Sequence, residues 1–179
     1  SGAYNIKNLN TAINRAKAIG SFFFTIPGPK MIWQFGELGY DISINDPCRL
    51  CEKPILWDYF DDMERKKLYK TFQALIHLRQ QYPIFNSSNT EVDLYVGSST
   101  GKKRIRLSFN EKKAVIIGNF NVVHQSIDPE FFHTGMWYDY FTGDSIDVTD
   151  INDPFNLNPG EFHILSNFYL DPPEENLLT

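Results

Sequence analysis

The hydrophobic pattern of this chain changes period once. Ile13, Ala16, Ile19 and Phe23 recur every three or four residues, which predicts an amphipathic helix over residues 10–24 with Asn10 or Thr11 as its cap. Gly20 interrupts its middle, and Pro27-Gly28-Pro29 is a breaker beyond its end. Met31-Ile32-Trp33-Gln34-Phe35 shows no alternation. A run apolar on both faces predicts a strand over 30–35 in a parallel sheet covered on each side. Residues 36–60 carry Gly36, Gly39, Pro47 and Pro54 among polar residues, with no regular element. Loops of that length are more often functional than passive. Helical spacing returns in Leu68, Phe72, Leu75, Ile76 and Leu78. This second helix, over 62–82, has Asp61 as N-cap with Glu64 three residues later, and Pro83 ends it.

The polar stretch Asn86-Ser87-Ser88-Asn89-Thr90 marks a boundary between a unit of residues 1–85 and one of 88–179. Beyond it the period is two. Val92, Leu94 and Val96 alternate with polar neighbours, as do Ile105, Leu107 and Phe109, while Ala114 to Phe120 is almost continuously apolar. Further strands fit Met136 to Phe141, Ile146 to Val148 and Phe162 to Leu165, separated by turns such as Thr142-Gly143-Asp144 and Asn158-Pro159-Gly160. Short strands at this spacing predict an antiparallel β-sandwich, so the chain as a whole reads as α+β. The first unit poses a physical difficulty. A helix, a doubly apolar strand and a helix cannot enclose themselves, and the strand needs parallel neighbours. The expectation is a tail of a larger protein, with those neighbours upstream.

Composition narrows the function classes. Of 179 residues, 42% are hydrophobic and 15% aromatic, enough for one good core or a core with an appendage. The formal charge is −5, and Lys102-Lys103-Arg104 with Arg106 reads as the solvated face of a strand, so no nucleic-acid footprint is present. No apolar run approaches the roughly 20 residues that span a bilayer, so neither nucleic acid nor membrane is an expected partner. Ser1-Gly2-Ala3 has neither an initiator Met nor a signal pattern, in keeping with a cloning or processing scar, and the sequence assigns no compartment. Cys48 and Cys51 have no second ligand pair, and the four histidines are scattered. The cysteines therefore read as two ordinary loop thiols, and neither a metal site nor a cofactor is implied.

Several segments resemble one family. Phe24-Thr25-Ile26-Pro27-Gly28-Pro29-Lys30-Met31-Ile32-Trp33-Gln34-Phe35-Gly36-Glu37 resembles the last barrel strand of the α-amylase family, glycoside hydrolase family 13. Lys53-Pro54-Ile55-Leu56-Trp57-Asp58 looks like its proline–two residues–tryptophan element, and Leu68 to Phe85 is similar to its final barrel helix. Gly135-Met136-Trp137-Tyr138-Asp139-Tyr140-Phe141-Thr142-Gly143 and Leu157-Asn158-Pro159-Gly160-Glu161-Phe162 resemble its C-terminal β-sandwich. The resemblance implies the terminal helix–strand–helix unit of a (β/α)8 barrel, residues 1–85, followed by an all-β sandwich, residues 88–179. It implies a parent enzyme acting on α-1,4-glucans such as starch, glycogen and maltodextrins.

The same resemblance implies that this chain has no catalytic residue. Retaining glycosidases use two carboxylates flanking the scissile bond. In this family the catalytic carboxylates follow earlier strands, the third after asparagine-histidine, and no Asn-His-Asp occurs here. Glu37 and Asp41 share a loop after the predicted strand, but loop anchoring is the simpler role, and Asp61 and Asp62 read as helix caps. Glu37 either anchors the loop or lines a sugar cleft. Tyr40 and Trp57 offer flat, amphipathic faces to pyranose rings or pack within the loop, and Trp33, mid-strand, packs. Some relatives carry an arginine two residues before the loop proline, where this chain has Glu52. Glu37, Tyr40 and Trp57 are the candidate substrate-binding residues. In the β unit, Trp137 faces one side and Tyr138 and Tyr140 the other, one set forming core and the other packing on the helices. The rival reading is a non-catalytic carbohydrate-binding sandwich. The apolar segment 22–35, left uncovered, is expected to promote self-association.

Overall fold

Helix α1 runs Leu9–Thr25 in the computed structural model, which describes residues 4–96 and 99–178. Its cap is Asn8 rather than Asn10 or Thr11. The Asn8 side-chain oxygen accepts from the backbone N–H of Asn10 and Thr11 at 3.0 and 3.4 Å. Ile26, which precedes Pro27, is extended and ends the helix. Helix α2 runs Met63–Gln81. Asp62 caps it, accepting from Glu64 and Arg65 N–H at 2.9 and 3.0 Å. Asp61 instead closes the 3-10 turn Trp57–Asp61. Gly20, a weak point in α1 taken alone, is where the helices meet: a Cβ there would lie 2.6 Å from the Phe72 ring.

The C-terminal end of α1 is held by Arg79 of α2. Its guanidinium donates to the carbonyls of Phe24 and Ile26, each at 2.6 Å, and to those of Gly28 and Phe85, each at 2.9 Å. The last carbonyls of a helix have no partner within it, and Arg79 supplies one.

No strand forms over residues 30–35, in contrast to the expectation. A strand exists by its ladder to a neighbour. Among the described residues nothing pairs with this segment, which is irregular through Trp33 and turns at Gln34–Phe35. Met31 and Trp33 are left 82% and 64% exposed.

After the 3-10 turn Pro83–Phe85 come the strands β1 (Glu91–Tyr95), β2 (Lys102–Phe109), β3 (Lys112–Asn119), β4 (Gln125–Ile127), β5 (Gly135–Asp139), β6 (Ser145–Val148), β7 (Phe155–Leu157) and β8 (Phe162–Ser166). Among the described residues every strand pairing is antiparallel. Six strands form a sheet in the order β1-β2-β3-β8-β5-β6, and β4 pairs with β7 as a separate ribbon. The fold is mixed α+β.

Register explains why β3 is apolar throughout. Leu107 opposes Ala114, and Ile105 opposes Ile116, which opposes Ile164. This row packs with Phe22, Phe24, Leu75 and Leu78 of the helices in one core. Val115 and Leu165 face the other way and join Trp137, Phe131, Ile127 and Leu157 in a second. Trp137 and Tyr140 thus divide as alternation requires. Tyr140 packs on α2, its hydroxyl donating to the Ala74 carbonyl at 2.9 Å. Strand β1 departs from its alternating pattern. Val92 and Leu94 stay exposed: β1 lies at the sheet edge, paired with β2 alone, and neither residue is part of either core.

At the end of β5, Asp139 is buried. Its Oδ1 accepts from Phe141 and Thr142 N–H, and its Oδ2 lies 2.6 Å from His163 Nδ1, with Glu161 Oε1 3.4 Å from Nε2. Burial opposes the imidazolium charge, but the Asp139 hydrogen bond and charge, aided by Glu161, raise the His163 pKa above its ordinary 6.5. A folded pKa above the unfolded one contributes stability that is complete below the unfolded value and lost as pH rises through the folded one. Urea midpoints are therefore expected to fall as pH is raised through and above about 6.5, and His163→Gln to flatten that slope. An unchanged slope in the variant would exclude this pair as its source.

Candidate functional site

The long connection between α1 and α2 is organised by Arg65, a charged residue on the buried stripe of α2. Its side chain is 7% exposed. Nη1 donates to the carbonyls of Leu38 and Gly39 at 2.9 and 2.6 Å, and Nη2 to Asp41 Oδ2 at 2.9 Å. The guanidinium lies 3.8 Å from the centre of the Tyr59 ring, and the Tyr59 hydroxyl donates a short hydrogen bond to Asp41 Oδ1. Desolvation would raise the Asp41 pKa, but Tyr59 and Arg65 hold it below the usual carboxylate range. Tyr59 is pushed up to about 12, by desolvation and by Asp41. Gly39 has φ +68°, and a Cβ there would lie 2.6 Å from Ile13 Cδ1, so the backbone can approach α1 only without a side chain.

An aromatic cluster extends from this anchor. Tyr59 tilts against Tyr40 at 6.3 Å, Tyr40 stacks on Phe35 at 6.2 Å, and Phe35 meets Trp57 edge to face at 5.0 Å. Phe35 is buried and left-handed, at φ 54°. A bulky residue there costs about 1–3 kcal/mol, and its ring contacts on both sides offset that strain. The Pro54 carbonyl accepts from Tyr40 Oη at 2.8 Å and Gln34 Nε2 at 3.1 Å, which fixes Tyr40 against the Pro54–Trp57 segment.

Beside the cluster lies a groove of about 300 Å³ lined by Trp33, Gly36, Tyr40, Ile42, Ile44 and Lys53. Lys53 shapes its outer wall: Nζ donates to the carbonyls of Ile44 and Asp46 at 2.7 Å and of Cys48 at 2.8 Å. Cys48 and Cys51 form a disulfide, so they are not two separate thiols. A turn in which Cys51 N–H donates to the Cys48 carbonyl at 3.3 Å brings the Cα atoms to 5.2 Å, within bonding range.

Two of the three predicted site residues come together. Tyr40 lines the groove and Trp57, 74% exposed, shares Phe35 with it. Glu37 does not join them. It sits half-buried in the 3-10 turn Gly36–Leu38, and among the described residues no hydrogen bond or ion pair engages its carboxylate. Trp33, expected to pack, is exposed along the groove instead, because the strand that would have packed it does not form. Arg65, Tyr59 and Lys53 were not anticipated. Arg65 had a signal, since it lies three residues before Leu68 on the apolar stripe, where a charge needs a partner. Lys53 had none, as its partners are backbone carbonyls. The arrangement presents aromatic faces and a lysine stem. Its one paired carboxylate, Asp41, is committed to Tyr59 and Arg65. Among the described residues no cluster of three His, Cys, Asp or Glu side chains stands ready for a metal ion.

No family profile and no curated relative matches the sequence. Solved structures do match. The structure of AmyP in complex with maltose aligns over 95% of this chain and 37% of its own, at 14% identity and a TM-score of 0.70. The α-amylase from Geobacillus thermoleovorans complexed with acarbose aligns over 89% and 34%, at 15% identity and 0.66. The cyclomaltodextrin glucanotransferase CldA aligns over 92% and 33%, at 16% identity and 0.65. The chain thus spans about a third of the length of these proteins, and its fold is that of the C-terminal portion of α-amylase-family structures.

The anchor yields a test. Arg65→Lys keeps the charge but loses the fork that reaches two carbonyls and Asp41 together. It is expected to lower unfolding stability by about 1.5–3 kcal/mol, read from urea denaturation. A loss indistinguishable from zero would show that the loop is held by other contacts.

Proposed function

We propose that this chain is the C-terminal part of a glycoside hydrolase that hydrolyses or transfers α-1,4-linked glucose units, and that its loop contributes one wall of the sugar cleft. The observation that carries the reading is the braced pair Tyr40–Trp57. Both rings pack on the buried Phe35, and Trp57 presents its indole to solvent. A pyranose offers an apolar face of C–H groups with hydroxyls at its rim. It suits a rigid aromatic surface with polar groups nearby, here Tyr40 and Lys53. Glu37 stands apart from these rings and is not among the residues lining the groove, so it is left out of the proposed wall. The retaining mechanism needs two convergent carboxylates. None is assigned within this chain, so the bond-breaking groups belong to the parent, and the chain alone is inactive.

The self-association reading narrows to fewer residues. Phe22, Phe24 and Phe35 are buried within the chain itself, which leaves Phe23, Met31, Ile32 and Trp33 as the sticky surface. This strip adjoins the groove through Trp33, and a second copy would cover it.

Incubated with starch, the chain is expected to release no reducing sugar, and measurable turnover would refute the inactive assignment. Titration calorimetry with a malto-oligosaccharide is expected to show weak binding that Trp57→Ala abolishes. The rival reading places the sugar on the β unit, where Tyr138 and the 53% exposed Tyr169 meet edge to face at 5.8 Å. Loss of binding in Tyr169→Ala but not in Trp57→Ala would favour it. Light scattering is expected to give a dimer or larger species that the double substitution Met31→Glu, Trp33→Glu returns to monomer. A monomeric wild type would remove the self-association proposal.

A further inference from the structure

The Cys48–Cys51 bond joins residues three apart in sequence, and both cysteines are exposed. They are the only two in the chain. A cross-link stabilises more, the longer the loop it closes. For so short a loop the restriction is on the order of tenfold in an opening equilibrium, against more than about a thousandfold for a loop of about 100 residues. Residues 48–52 contribute to neither apolar core. The bond therefore acts on its own loop rather than on the fold.

What it holds in place is Lys53. Arg49, Leu50 and Glu52 are exposed, Leu50 at 96%, and among the described residues no hydrogen bond or ion pair engages their side chains. Apart from the disulfide, the Cys51 N–H donates to the Cys48 carbonyl at 3.3 Å, beyond the usual range. Lys53 follows two residues later. Its ammonium has three protons, and it donates to the carbonyls of Ile44 and Asp46 at 2.7 Å and of Cys48 at 2.8 Å. A side chain that reaches three carbonyls at once needs its backbone held at a fixed distance from them. The disulfide sets that distance, and one of the three carbonyls belongs to Cys48 itself. Ile44 and Lys53 both line the groove beside Tyr40. The groove's outer wall thus stands on the lysine clamp, and the clamp stands on the disulfide.

We propose that Cys48 and Cys51 form a redox switch for this groove. Oxidised, the pair keeps Lys53 on its carbonyls and the wall in place opposite Trp33 and Tyr40. A dithiol reduces it. One thiolate of the reductant attacks a cysteine sulfur, the S–S bond breaks, and the departing sulfur takes a proton. The second thiolate then displaces the other cysteine, which takes a second proton. The reductant closes into its own disulfide, having given two electrons. Residues 49–52 then swing freely, and Lys53 and Ile44 leave the wall. Exposed disulfides are the readily reduced kind, and with no third cysteine in the chain reoxidation restores the same bond. The consequence for ligand binding rests on the sugar-wall reading above, whereas the opening of the loop does not.

Dithiothreitol without denaturant is expected to convert the 179-residue chain to the dithiol, read by mass after alkylation, and to leave it folded by circular dichroism. Hydrogen exchange at the Asp46 amide, which donates to the Ser43 carbonyl at 3.0 Å, is expected to quicken about tenfold on reduction. Affinity for a malto-oligosaccharide, read by calorimetry, is expected to fall by about three- to tenfold. Cys48→Ser with Cys51→Ser is expected to reproduce both changes without reductant. In Lys53→Met, where the clamp is already absent, reduction is expected to alter neither. A bond that resists dithiothreitol, or exchange at Asp46 that reduction leaves unchanged, would overturn the switch. Faster exchange with unaltered affinity would overturn it too. Absence of sugar binding in both redox states would instead overturn the sugar-wall reading, and the exchange at Asp46 would then decide the switch alone.

Discussion

Four backbone carbonyls converge on one guanidinium, and much of the molecule depends on that convergence. Phe24 and Ile26 belong to the end of α1, Gly28 to the breaker that follows, and Phe85 to the turn leading into the sheet. Without Arg79 the carbonyls of the buried Phe24 and Phe85 would lose this donor. Phe24 and Phe85 are both buried, at 2% and 0% exposure, so water cannot readily serve them. One side chain therefore fixes where α1 stops, how the chain leaves it and where the sheet begins. Desolvation lowers the Arg79 pKa, yet it stays charged, and charge-assisted hydrogen bonds are the stronger kind.

The regular elements were legible in the sequence wherever one face met one environment. Both helices appear within a residue of their expected limits, because period and proline placement are local signals. The caps lie one to three residues from the expected positions, since Asn and Asp recur at Asn8, Asn10, Asp61 and Asp62 and only backbone geometry chooses among them. The continuous apolar run in β3 was a correct sign of two covered faces. The same inference failed for residues 30–35. Apolar character on both faces says what a segment needs, and the ladder it needs must come from another strand. Val92 and Leu94 failed for a related reason, since alternation cannot reveal an edge position. The strands β4 and β7, three residues each, were too short to carry a period.

The loop was legible only in its aromatics. Tyr40 and Trp57 stand out in the sequence for what their rings can do, while their common support, Phe35, depends on a left-handed backbone that no propensity encodes. Glu37 stands out only by its position, and it lies apart from the rings. The polar framework beneath them, Arg65 with Asp41 and Tyr59, depends on contacts across some two dozen residues. Lys53 and the Cys48–Cys51 bond close the neighbouring turn by two independent means, one electrostatic and one covalent. The proposed sugar wall is thus a surface residue held by buried ones, which is how a loop achieves the rigidity that recognition requires.

The core around Phe22, Phe24, Leu75 and Leu78 continues without a break into Ile105, Leu107, Ile116 and Ile164. The polar stretch Asn86–Thr90 is a seam in the sequence, yet the apolar cluster runs straight across it. Neither side keeps its hydrophobic face covered if the other opens, so the two are coupled in free energy. Heat or denaturant should then meet one cooperative transition, reported alike by helix and sheet probes. A protease cut in that seam would leave two pieces that stay associated rather than two that drift apart.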